Sequence, residues 1–332
     1  KIKKIKKMNK ILVTGANGFI GQSLCKELVK KNFFVRGIVR SKLNLNDYKN
    51  IEYKTIADIN YCTNWTDLLS DIDCVIHCAG KAHVMEKTNI IAEQAYNSIN
   101  VEGTKQLAMQ AANSGVKRMI FLSSIKVNGE NTIDSRSDKL NINKHKKIFT
   151  HNDNADPKDL YGLSKWNAEK ELWGVSAKTN LEINILRLPL VYGKGAKGNL
   201  NRLLKLVQSR IPLPFSMIKN ERSMIGLDNL INLIILCIDH SGAAGKTFLV
   251  SDGEDISTSK LIQYMASSMG RSALLFPIPI SILKVSGYVL NRSEEVNRLV
   301  GSLKVDSSFT REILNWSPQI NISEGIRRMV QK

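Results

Sequence analysis

The chain has 332 residues, 43% of them hydrophobic and 23% charged, with 48 Lys and Arg against 30 Asp and Glu and a formal net charge of +18. That length holds one large α/β domain with a smaller lobe, or two modest domains, and the composition is globular rather than disordered or fibrous. No apolar run reaches the roughly 18 residues that span a bilayer, so no membrane insertion is expected.

Residues 1–7, Lys-Ile-Lys-Lys-Ile-Lys-Lys, precede Met8. They lack the apolar core and cleavage site of a signal peptide and read as a disordered basic arm or a non-native start. The first strand follows at 11–14, then the turn Gly15-Ala16-Asn17-Gly18-Phe19-Ile20-Gly21, then a helix over 18–30. Further strands are predicted at 34–39, 51–56, 73–77, 119–123, 183–188 and 247–250, with helices at 65–70, 91–114 and 158–177. Strands alternating with helices behind a Gly-rich first turn predict an α/β fold, a doubly wound parallel (Rossmann) sheet covered on both faces. Residues 128–159 are polar and long for a loop, and read as an active-site flap or a disordered insertion. Past Tyr192 the pattern changes to a loop with Gly193, Gly195 and Gly198, a helix at 200–209, the stretch Ile211-Pro212-Leu213-Pro214, and a helix-rich segment from Asp255 onward. The expected division is a dinucleotide-binding domain over 8–192, with 224–254 returning to it, and a smaller helix-rich C-terminal substrate lobe from 193–223 and 255–332.

Within the first turn Gly15 permits the tight bend, Gly18 the approach of a pyrophosphate and Gly21 the packing of helix on strand, while Asn17, Phe19 and Ile20 open the helix whose N-terminus faces the phosphates. The second strand ends in Val39-Arg40-Ser41, without the acid that usually holds a ribose 2′-hydroxyl. Arg40 can pair with a 2′-phosphate, so NADP(H) is preferred, with NAD(H) as the other possibility. Asp58 and Ile59 end the third strand, where Asp58 can accept from the adenine amino group. Ala79 and Gly80 follow the fourth strand and let the cofactor lie against the sheet edge. His77 reads as a packed strand histidine, and His83 lies nearer the expected sugar.

Tyr161 and Lys165 stand at i and i+4, one face of a helix. A free tyrosine ionises near pH 10, and a neighbouring ammonium is expected to lower that value. Lys165 can also hold the nicotinamide ribose, and Tyr161 can then exchange a proton with a carbonyl or alcohol oxygen. Ser124, at the end of the fifth strand, can hydrogen-bond the same oxygen, with Ser123 as the competing candidate. No clustered His or Cys indicates a metal. The five cysteines are odd in number and read as reduced thiols of a cytoplasmic protein. The positive charge is dispersed and suits anionic small molecules rather than nucleic acid, for which no recognition motif is present.

These residues resemble the extended short-chain dehydrogenase/reductases, the NAD-dependent epimerase/dehydratase family. The resemblance runs from Met8 to the C-terminus through Thr14-Gly15-x2-Gly18-x2-Gly21, Asp58, Ala79-Gly80, Asn100-Val101-Glu102-Gly103-Thr104, Ser124, Tyr161-x3-Lys165 and Arg187-Leu188-Pro189-Leu190-Val191-Tyr192-Gly193. The stretches around His77–Met85, Ser123–Glu130, Pro212-Leu213-Pro214, Asn220-Glu221-Arg222-Ser223 and Leu314-Asn315-Trp316-Ser317-Pro318 are similar to a bacterial branch acting on UDP-N-acetyl sugars in O-antigen and lipopolysaccharide synthesis. The resemblance implies catalysis by Ser124, Tyr161 and Lys165, and UDP binding by Asn199, Arg222 and Arg298. Lys126 lies beside the sugar site, where dehydratases carry an acid, which argues against 4,6-dehydration. It also implies a homodimer through a four-helix contact, which the helices at 91–114 and 158–177 can supply.

The favoured reading is NADP(H)-dependent reduction of the C4 ketone of a UDP-4-keto-6-deoxy-N-acetylhexosamine. The alternative is a UDP-hexose or UDP-N-acetylhexosamine 4-epimerase with tightly bound NAD. A reading of another class is a catalytically inactive nucleotide-binding relative.

Overall fold

The computed structural model describes residues 9–41, 50–82, 89–132 and 148–331. The first half alternates as expected: β1 (Lys10–Thr14), α1 (Phe19–Lys30), β2 (Phe34–Val39), β3 (Ile51–Thr55), α2 (Thr66–Leu69) and β4 (Cys74–His77). Next come α3 (Asn89–Tyr96), a π-helical turn (Asn97–Glu102), α4 (Gly103–Asn113), β5 (Arg118–Ser124), a short 3-10 turn (Ile125–Val127), α5 (Leu160–Ser176) and β6 (Glu182–Leu188). The helix predicted over 91–114 is therefore continuous, with its middle turn π-helical rather than α-helical.

Past β6 the chain forms β7 (Leu190–Tyr192), α6 (Asn199–Gln208), β8 (Arg222–Gly226), α7 (Leu227–Asp239), β9 (Lys246–Leu249) and β10 (Asp255–Ile256). Five helices complete it: α8 (Thr258–Ser267), α9 (Ile280–Val289), α10 (Ser293–Val300), α11 (Ser308–Leu314) and α12 (Ile322–Val330).

Seven strands make one parallel sheet in the order β3-β2-β1-β4-β5-β6-β9. Every residue of β4 and β5 is buried, as in a parallel sheet covered on both faces. Strand alternation sorts the core. Ile11 and Val13 point to the side covered by α1 and α7, with Leu24, Leu28, Leu230 and Leu233. Leu12 points to the other side, with Leu107 of α4 and Leu172 of α5. Arg118, buried at the start of β5, donates through Nη1 to the carbonyls of Cys237, Ile238 and His240 at 2.7–2.9 Å. It thereby satisfies the orphan C-terminal carbonyls of α7 and fixes that helix against the sheet.

The small sheet β10-β8-β7 lies outside the sequence expectation. Its strands have two to five residues, too short to show a period. Its core joins Tyr192, Leu203, Ile262, Met265 and Ile326, so β7 packs with α6, α8 and α12 in the helical C-terminal part. The 128–159 segment is described only at its two ends. Thr132 N donates to the Ser302 carbonyl, Phe149 forms a bridge with Val305, and His151 stacks on Phe309 at 3.9 Å. Among the described residues no helix is long and apolar enough to cross a membrane.

Candidate active site

Strand order reverses at β1, which lies between β2 and β4, and this opens a crevice at the C-terminal ends of the strands. The β1–α1 turn closes its floor. Gly15 has φ +64°, and a Cβ there would lie 3.0 Å from Ala79 N. A Cβ on Gly21 would lie 2.2 Å from the Gly15 carbonyl oxygen, so only glycine lets α1 dock on the turn. Gly18 caps α1 without a side chain, and the first turn carries no acid, so the N–H end of the helix stays open to an anion. A cleft of about 210 Å³ is lined by Gly15, Asn17, Gly18, Arg40, Asp58, Ile59, Ala79 and Gly80. Phe19, Ile20 and Gly21 form the first turn of α1 beside it. This cradle fits a dinucleotide. Arg40 is exposed at the rim, at the end of β2, and Asp58 accepts from Ile59 N at 2.8 Å.

His77 is buried, and its ring nitrogens meet the hydroxyls of Thr14 at 2.7 Å and Thr104 at 3.0 Å. Burial, and secondarily the Lys165 charge, push its pKa down to about 3, so it bridges the two hydroxyls as a neutral ring. It is the packed strand histidine the sequence suggested. His83 lies outside the described residues.

The other wall of the crevice is the end of β5 and the start of α5. Asp159 starts α5 by accepting from Gly162 N at 2.7 Å through its side chain. At the start of that helix the Tyr161 phenol lies near enough to the Ser124 hydroxyl to feel it. Strand alternation decides between the two serines. Ser124 faces Tyr161, whereas Ser123 points to the opposite face and donates to Glu169 at 2.5 Å.

The Tyr161 phenol does not follow the sequence expectation. Its pKa is pushed up to about 12, first by burial and then by the Asp159 and Tyr96 charges, with the Ser124 hydrogen bond opposing. Lys165 does not offset this, because its Nζ donates to the Leu122 carbonyl at 2.9 Å and lies 4.4 Å over the Phe121 ring. A Cβ on Gly80 would sit 3.2 Å from that nitrogen, so Gly80 leaves room for the ammonium at the cleft wall.

Burial lowers Lys165 to about 8, against the weaker pull of Glu169. A folded-state pKa below the unfolded value means that the folded chain carries a penalty at neutral pH. That penalty is relieved as pH rises from about 8 towards 10.5, by about 3 kcal/mol at most. Urea midpoints measured across that range should therefore rise less with pH in Lys165→Met than in the parent chain. Parallel curves would show that the ammonium is not buried.

Residues not singled out for a role in the sequence hold this wall together. Asn100, in the π-helical turn, accepts from Lys81 N at 2.8 Å, and donates to the Lys81 carbonyl at 2.9 Å and to the Ser164 hydroxyl at 3.0 Å. It ties the β4 loop to α5, and π-turns are frequent at such places. Glu169, fully buried one turn after Lys165, receives Arg187 through Nε and Nη2 as well as Ser123. Its i, i+4 spacing from Lys165 was the available signal.

The remaining sequence candidates divide. Lys126 is bound by Asp159 and by Glu130 at 2.7 Å, partners that outweigh burial and hold its pKa above the usual lysine range. It therefore links β5 to the start of α5. Arg222 and Arg298 are brought together, Arg222 Nη1 donating to the Arg298 carbonyl at 2.8 Å. Asn199 is exposed at the first position of α6.

Comparison with known proteins agrees with this geometry. Residues 11–251 match the NAD dependent epimerase/dehydratase family. A UDP-glucose 4-epimerase of Vibrio cholerae is 41% identical over 97% of this chain and 94% of its own. An N-acetyl-alpha-D-glucosaminyl-diphospho-ditrans,octacis-undecaprenol 4-epimerase of Escherichia coli O157:H7 is 24% identical over 89% of this chain and 84% of its own. In structure, the UDP-glucuronic acid 4-epimerase of Bacillus cereus in complex with NAD superposes with a TM-score of 0.76 at 23% identity, covering 97% of this chain and 95% of that one. With a match across most of its length and a near full-length relative at 41% identity, the chain belongs to the NAD dependent epimerase/dehydratase family, the extended short-chain dehydrogenase/reductases.

Proposed function

We propose that the protein is a UDP-sugar 4-epimerase that uses NAD. The observation that carries this reading is the 41% identity to a UDP-glucose 4-epimerase along 97% of the chain. It favours the second of the sequence-based readings over 4-keto reduction. The preference for NADP(H) expected from Arg40 gives way as well, since the family is described as NAD dependent and the Bacillus cereus enzyme was solved with NAD. An exposed guanidinium at the cleft rim is solvated and does not require a phosphate partner.

Bound NAD supplies hydride acceptance and return at C4 of the sugar. The chain supplies the rest. Tyr161 takes the proton of the C4 hydroxyl and later gives it back. Ser124 hydrogen-bonds the same oxygen and the tyrosine, and so aligns the two. Lys165, beside Gly80 at the cleft wall, holds the cofactor's ribose. The sugar must turn over between the two hydride transfers, so it is retained by its diphosphate. Arg222 and Arg298, with Asn199 at the head of α6, are the groups proposed to hold it. Among the described residues, only Nη1 of the Arg222 guanidinium makes a hydrogen bond, to the Arg298 and Gly301 carbonyls. A homodimer through α4 and α5 completes the reading, with Met109 and Leu163 exposed on those helices.

The test is to incubate purified protein with UDP-glucose or UDP-N-acetylglucosamine and less than one equivalent of NAD, and to follow the sugars by NMR. Catalytic formation of the C4 epimers, without net NADH, is expected. No epimer, together with stoichiometric oxidation of NADPH by a UDP-4-keto sugar, would restore the reductase.

A further inference from the structure

The C-terminal part carries an apolar surface that the epimerase reading leaves unused. In α9, Ile282, Val285, Tyr288 and Val289 share one face, continued by Leu290, and all five are between 56% and 78% exposed. The opposite face of the helix is spent on Leu283 and Gly287, the latter packed on Val296 of α10. The chain reaches α9 through Pro277-Ile278-Pro279 from a second exposed apolar strip. There Leu213 bridges Leu275, and Ile211, Leu274 and Phe276 are open to solvent. Beside that strip lies a groove of about 240 Å³ lined by Leu213, Ile262 and Ala266 together with Arg210 and Arg271.

The segments that carry this surface are basic up to the start of α10, where Glu294 and Glu295 follow. Residues 193–220 and 256–293 contain ten Lys or Arg and not one Asp or Glu, although the chain has 30 acids. On α9 itself Lys284 is exposed beside Val285, and Arg292 follows Leu290. Aliphatic side chains flanked by Lys284 and Arg292, with a tyrosine among them, suit a boundary that is apolar inside and anionic at its edge. A second copy of the chain fits poorly, because a two-fold contact would set the same cations against each other.

We propose that this surface seats the protein peripherally on an anionic lipid bilayer, with α9 lying in the interface and Lys284 and Arg292 among the headgroups. The proposal does not depend on which sugar the enzyme epimerises.

Sedimentation of the full chain, loaded with NAD, with sucrose-filled vesicles tests it. Vesicles of equimolar phosphatidylcholine and phosphatidylglycerol should carry the protein down. Pure phosphatidylcholine should bind at least about tenfold less, and added salt should weaken the anionic case. The double variant Val285→Asp, Val289→Asp changes only exposed positions. It should lose about tenfold or more in binding to the anionic vesicles while keeping the parent's melting temperature and sugar turnover. The proposal is overturned if the parent chain stays in the supernatant with anionic vesicles, or if the double variant sediments like the parent. A parent dimer that the double variant dissociates, without vesicle binding by either, would instead make this face a contact between copies and overturn the proposal as well.

Discussion

Tyr161→Phe is expected to lower kcat for C4 epimerisation by about 10²–10⁴-fold, the usual span for loss of a general acid–base group. KM for the UDP-sugar and the bound NAD should change little, because the ring remains and the cleft glycines are untouched. The deletion removes one oxygen at the cleft wall and leaves the ring in place, so the fold should survive. Ser124→Ala should give a smaller loss, since it removes alignment but leaves the proton carrier. The measurement is the rate of UDP-glucose to UDP-galactose conversion, with NAD content read on the same preparation. A Tyr161→Phe chain that epimerises at the parent rate would remove Tyr161 from the mechanism, and an inert parent chain would remove the mechanism altogether.

Arg187→Met should be the most destabilising single change near the site, by about 3–5 kcal/mol. Glu169 is fully buried, and Arg187 meets both of its carboxylate oxygens, at 2.7 Å through Nη2 and 3.1 Å through Nε. Arg187 Nη1 also donates to Asn128 at 2.9 Å. Without Arg187 the carboxylate keeps Ser123 as its hydrogen-bonding partner, which cannot balance a full buried charge. The expected readout is a large fall in the urea midpoint with the slope unchanged. Arg187→Lys should recover little, because an ammonium cannot reproduce the fork. The pair Glu169→Leu, Arg187→Leu should recover much of the loss by removing both charges together. A loss below about 1 kcal/mol in Arg187→Met would place the pair in solvent-like surroundings, contrary to its burial.

Local and periodic features could be read from the sequence. The turn Gly15 to Gly21 follows a strand and opens a helix, and each glycine answers a backbone demand that the neighbouring residues impose. Tyr161 and Lys165 are one helical turn apart, so their common face follows from the 3.6-residue period. Ser124 was favoured over Ser123, but two adjacent serines differ only in which face of β5 they take. The register of β5 against β4 and β6 settles that. The helix predicted over 91–114 carries a π turn at Asn97–Glu102, where Asn100 is held by the Lys81 backbone and the Ser164 hydroxyl, partners at 19 and 64 residues' separation.

The parallel α/β architecture, the glycine turn after β1 and the shared helix face of Tyr161 and Lys165 are legible in residue order, because each depends on residues within a few positions of one another. Packing sets what surrounds them. It raises Tyr161 and lowers Lys165 by burial, and it directs the ammonium to the Leu122 carbonyl and the Phe121 ring instead of to the phenol. It spends Lys126 on Asp159, sets Arg187 on Glu169, and leaves one face of α9 without a partner among the described residues. A charge's environment depends on every element packed against it, and those elements come from distant parts of the chain.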